Sequence, residues 1–116
     1  MPILAQIIDD VVATKFTLDK PKMMIGRHPD CDIQITDIAV SGRHAIIEVE
    51  QNKYLDGVVD VFIADNKSTN GTFVNDLPLE GRQRLNNNDI VRIAWSAFKF
   101  IEDLSENLEK TAYTLE

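Results

Sequence analysis

The stretch 45-AIIEVEQNKYLDGVVDVFI-63 decides the fold. Ala45, Ile47 and Val49 alternate with Ile46, Glu48 and Glu50, so an extended chain here has one apolar face and one mostly polar face. Val59, Val61 and Ile63 repeat the pattern. Asp56-Gly57 between the two runs reads as a hairpin turn, because glycine takes the positive φ that tight turns require. The stretch therefore predicts two half-buried antiparallel strands.

Similar short runs flank this hairpin. They are 3-ILAQII-8, 15-KFTL-18, 22-KMMI-25, 32-DIQI-35, 72-TFV-74, 89-DIVRI-93 and 97-AFKFI-101. Turn-forming clusters separate them: His28-Pro29-Asp30, Asp76-Leu77-Pro78 and Asn86-Asn87-Asn88-Asp89. Many short strands without long helices between them predict an all-β antiparallel sandwich. At the C-terminal end Asp103 and Glu106 read as a capping box, with Leu104, Leu108, Ala112 and Leu115 on one stripe. This divides the chain into one domain over residues 1–102 and a short helical tail over residues 103–116.

The 116 residues fit a single domain, and 44% hydrophobic content is a globular composition. A net charge of -7 argues against a general nucleic-acid or anionic-membrane binder, which needs a basic face. Any anion recognised must be held by a local cluster of donors. Cys31 is the single cysteine, so an internal disulfide and a thiolate-rich metal site are both excluded, and no metal or cofactor is expected. The opening residues lack the basic start and apolar run of a signal peptide, and no apolar stretch approaches membrane-spanning length. A cytoplasmic location is expected.

Three segments hold more hydrogen-bonding side chains than turns require: 26-GRHPDCDI-33, 40-VSGRHA-45 and 68-STNGTFVN-75. Each lies just outside a predicted strand, which in a sandwich means loops at a sheet end. Gly71 builds the turn of the third, and Asn75 reads as a further turn residue.

Together the three segments resemble the forkhead-associated (FHA) domain, a phosphothreonine-binding β-sandwich. Gly26-Arg27, then Ser41 and His44, then Ser68-Thr69-Asn70-Gly71-Thr72 and Asn75 follow the family's order and roughly its spacing. The resemblance implies an adaptor that binds phosphothreonine peptides of Ser/Thr kinase substrates. It implies that Arg27 contacts phosphate, a role suited to the planar guanidinium fork. Ser41 and Thr69 would add hydroxyl contacts, and Asn70 would grip the ligand backbone through its carboxamide. Gly26, His44 and Gly71 would support the site, with His44 bracing loops rather than touching phosphate.

Two positions depart from the family pattern. Gly42 offers only a backbone N–H where a side chain often reaches phosphate, and Arg43 either compensates or points to solvent. Ala39 stands where some members carry a basic residue that reads the ligand. Lys67 is a further cation near the third loop.

Ser41 and His44 raise the thought of a hydrolase. No Gly-x-Ser-x-Gly elbow accompanies them, however, and no carboxylate is obviously placed to orient the histidine, so no enzyme is expected. The stronger rival is a phospho-independent scaffold or oligomerisation module on the same sandwich. Oligomeric state is left open.

Overall fold

In the computed structural model, which describes residues 2–102, two sheets face each other across one apolar core. Strands β1 (Ile3–Ile8), β2 (Val11–Thr17), β7 (Thr72–Val74), β8 (Leu77–Pro78), β10 (Ile90–Ile93) and β11 (Ser96–Ile101) form the first sheet. Its order is β2-β1-β11-β10-β7-β8. The second sheet holds β3 (Lys22–Gly26), β4 (Ile33–Gln34), β5 (Ala45–Gln51), β6 (Val59–Asp65) and β9 (Gln83–Arg84), in the order β4-β3-β5-β6-β9.

The alternation read in residues 45–63 becomes the β5–β6 hairpin, with Ala45 opposite Asp65 and Gln51 opposite Val59. Ala45, Ile47, Val61 and Ile63 are buried, as the period of two requires. They pack in one cluster with Phe98, Phe100, Leu4 and Ile93 from the first sheet. Each large side chain buried there contributes about 1.5–3 kcal/mol, so the core holds both sheets in fixed relation.

The strand expectations need three adjustments. β2 starts at Val11 rather than Lys15, because the Asp9-Asp10 turn, with φ of 52° and 63°, closes a tight hairpin against β1. β8, within the expected Asp76-Leu77-Pro78 turn, and β9 are short pairings that no run of alternating residues marks. β3 and β4 run parallel, with Ile25 opposite Ile33, so the sandwich is not wholly antiparallel. Residues 27–32 loop out and back, and the Asp32 carboxylate accepts the Met24 N–H of β3 at 2.9 Å. The expected helix over residues 103–116 lies outside the described residues. Among the described residues there is no helix.

Backbone bonds gather the polar loops at one end. Arg27 N–H donates to Ser41 O at 3.0 Å, Asn66 N–H to His44 O at 2.9 Å, and Ala94 N–H to Gly71 O at 3.1 Å. Residues 27–32, 35–44 and 66–71 and the β10–β11 turn therefore adjoin one another.

Candidate functional site

Glycine at position 26 lets the first loop touch the second. A Cβ there would fall 2.2 Å from the Gly42 carbonyl oxygen, deep inside van der Waals contact. That close approach lets Arg27 N–H reach Ser41 O and His28 N–H reach Gly42 O, both at 3.0 Å. The Cys31 thiol donates to the same Gly42 carbonyl at 3.2 Å. Burial first, and the Asp30 carboxylate next, push the Cys31 thiol above its ordinary pKa, so it stays a protonated donor.

His44 joins the second loop to the third. Its ring is fully buried. Nδ1 accepts the Ser41 N–H at 3.0 Å, and Nε2 donates to Gly71 O at 2.7 Å. Because an amide N–H can only donate, Nδ1 must carry no hydrogen and Nε2 must carry one. Both ring nitrogens are thus committed to loop backbone, which is the bracing role expected of His44.

The third loop is shaped by Asp65, which the sequence reading did not single out. Asp65 Oδ1 accepts the Ser68 hydroxyl at 2.5 Å and the Thr72 hydroxyl at 2.7 Å, while Oδ2 accepts the Ser68 N–H at 3.0 Å. Ser68 Oγ in turn accepts the Gly71 N–H at 2.9 Å. Gly71 takes φ +83°, the left-handed region open to glycine. Burial works to raise the Asp65 carboxyl, but the Ser68 and Thr72 bonds outweigh it and hold it below the ordinary carboxylate value. An aspartate three residues before a serine is a turn-capping signal, and it was available in the sequence.

These loops present a compact set of donors. Ser41 Oγ accepts the Thr69 N–H at 3.0 Å, which leaves its hydroxyl hydrogen free to donate outward. Arg27 is exposed, and its guanidinium has no hydrogen-bond or ion-pair partner among the described residues. Lys67 and Thr69 are exposed on the third loop. Gly42 faces open space, with nothing within 4 Å of where a Cβ would stand.

Two expected contacts take other forms. Arg43 neither fills the gap left by Gly42 nor stands free in solvent: Nη2 pairs with Asp30 Oδ2 at 2.7 Å. Asn70 is half-buried, and its Nδ2 donates to Ala39 O at 2.7 Å, tying the third loop to the second. Its Oδ1 and second N–H have no hydrogen-bond partner among the described residues. Asn75 is a turn residue as expected, at φ 51°, and its Oδ1 accepts the Ile90 N–H at 2.9 Å.

A rigid all-β sandwich that crowds unpaired donors onto one rim is a recognition module. The sequence profile of the FHA domain matches residues 23–94, and the chain belongs to that family. Over 77 residues it is 39% identical to the glycogen accumulation regulator GarA of Mycolicibacterium smegmatis, covering 66% of this chain and 44% of that protein. Over 88 residues it is 39% identical to the oxoglutarate dehydrogenase inhibitor of Corynebacterium diphtheriae, covering 76% of this chain and 56% of that protein. The chain thus spans about half the length of these curated relatives.

Solved structures agree in fold. The FhaA FHA domain complexed with the intracellular domain of Rv3910 superposes with TM-score 0.71 at 30% identity, covering 86% of this chain and 99% of that one. EmbR of Mycobacterium tuberculosis, in complex with a low-affinity phosphopeptide, gives TM-score 0.74 at 26% identity, covering 88% of this chain and 24% of that one.

Proposed function

We propose that the chain is a phosphothreonine-dependent adaptor that holds a partner phosphorylated by a Ser/Thr kinase. The observation that carries this reading is Arg27, an exposed guanidinium without a partner among the described residues, whose backbone is hydrogen-bonded to Ser41. A phosphate dianion satisfies both, since it accepts charge-assisted bonds from arginine and a further bond from a hydroxyl.

Arg27 and Ser41 bind phosphate, Thr69 and the Gly42 N–H add donors, and Asn70 positions the peptide backbone. Arg43 serves the phosphate only if it exchanges Asp30 for it, a modest cost because an exposed ion pair is worth about 0–1 kcal/mol. Gly26, His44 and Gly71 hold the loops in place. The binding domain comprises residues 1–102, and the protein acts in the cytoplasm on proteins rather than on nucleic acid or lipid.

Titration with a phosphothreonine peptide and its unphosphorylated twin tests the reading. Binding of the phosphorylated form alone is expected. Equal binding of both would favour the phospho-independent scaffold.

A further inference from the structure

The two sheets differ in how they handle charge. The chain has 19 acidic residues, yet the strands of the first sheet contain none, while they do contain Lys15, Arg92 and Lys99. The second sheet neutralises its own cations: Arg82 pairs with Glu48 and Glu50, and Arg84 with Asp60. Lys15 and Lys99 have no ion-pair partner among the described residues.

Both lysines stand on the outer face. On β1 Leu4 enters the core, so Ile3, Ala5 and Ile7 turn outward; on β11 Phe98 and Phe100 enter it, so Ala97, Lys99 and Ile101 turn outward. Ala5 is the cross-strand partner of Lys15 on one side and of Lys99 on the other, and it is fully buried. Ile3, Ile7 and Ile101 are half-buried. The middle strand β1 is thus an apolar strip with a lysine on each side. Two strand spacings separate the lysine backbones by about 10 Å, the diameter of one helix.

We propose that residues 103–116 dock on this face, with their apolar stripe along β1 and their carboxylates beside Lys15 and Lys99. Continuity favours this occupant, because β11 ends on Ile101, itself part of the face, and Asn87 Oδ1 accepts the Glu102 N–H at 3.0 Å and fixes the exit. Charge favours it too: the segment carries Asp103, Glu106, Glu109 and Glu116 against Lys110 alone. Pattern agrees, since Leu104, Leu108, Ala112 and Leu115 recur at helical spacing. On a helix Glu109 and Glu116, each directly after a leucine of that stripe, border it on one side. Leu104 to Leu115 would span about 16 Å, within the about 20 Å of β1. Tethering supplies roughly millimolar effective concentration, which an unlinked acidic partner lacks.

Zero-length carbodiimide coupling of the full chain, mapped by mass spectrometry, tests the contact. Amide links from Lys15 or Lys99 to Glu109 or Glu116 within one copy are expected. Trypsin gives a second reading, because the rate of cleavage after Lys110 follows the population of undocked segment. Leu104→Ser combined with Leu108→Ser should speed that cleavage about tenfold, through lost apolar burial. Lys15→Gln combined with Lys99→Gln should speed it only about two- to fivefold, because exposed ion pairs are weak.

Cleavage of the parent as fast as of both variants, without links from either lysine, would overturn the inference. Links that form only between copies and grow with concentration would also overturn it, and would give the face to a second copy. Neither reading involves a phosphopeptide, so failure here leaves the proposed function standing.

Discussion

His44 Nε2 and the Gly71 carbonyl oxygen lie 2.7 Å apart, so one buried ring ties the β4–β5 loop to the turn that precedes β7. The opposite ring nitrogen holds the Ser41 N–H. The positions of Ser41 and of the Thr69–Gly71 turn are therefore set by the same side chain. His44→Ala leaves a buried carbonyl and a buried N–H without partners, at about 1–3 kcal/mol each. Thermal denaturation should show the melting temperature lowered by roughly 10 °C or more. An unchanged melting temperature would contradict the bracing role.

Gly26 and Gly42 should respond oppositely to alanine. Gly26→Ala places a methyl against the Gly42 carbonyl and forces the two loops apart, at about 1–3 kcal/mol for overpacking. Gly42→Ala meets nothing. Chemical denaturation should find the first destabilised and the second within about 0.5 kcal/mol of the parent.

Asp65 makes the third loop sensitive to acid. Its folded-state carboxyl titrates below the ordinary aspartate value, so the unfolded chain takes up this proton more readily than the folded one. Its contribution is present above that value and is lost as pH falls through the folded value. Stability measured from pH 6 downward should fall less steeply in Asp65→Asn than in the parent. Parallel profiles would show that Asp65 does not act through its charge.

Asn70→Ala should cost stability as well as affinity, because the carboxamide already bonds Ala39 O within the free protein. A loss of about 1 kcal/mol is expected from that bond. Free inorganic phosphate, which lacks a peptide backbone, should bind the variant nearly as well as the parent.

Much of this was legible in the sequence. The alternation of residues 45–50 and 59–63 identified the central hairpin, since a half-buried strand imprints its period on composition. Gly26, His44 and Gly71 stand out in the sequence because their neighbours form an ordered motif. The pairing of Arg43 with Asp30 and of Asn70 with Ala39 does not, because each joins residues far apart in sequence through the loop fold. The sequence shows only the second half of β2, because Val11 and Val12 are exposed on an edge strand and burial gives them no alternation to show. Asp65 is marked in the sequence only by its spacing of three to Ser68, a local turn signal that no hydrophobic period reinforces.

The most direct measurement is the affinity of Arg27→Ala for a phosphothreonine peptide bound by the parent, with its melting curve recorded alongside. Arg27 is exposed and its side chain bonds to none of the described residues, so the variant should melt within a few degrees of the parent. Losing charge-assisted bonds of about 1.5–3 kcal/mol should weaken the phosphopeptide at least tenfold. A folded Arg27→Ala variant that binds the phosphopeptide as tightly as the parent would contradict the assignment of the phosphate site.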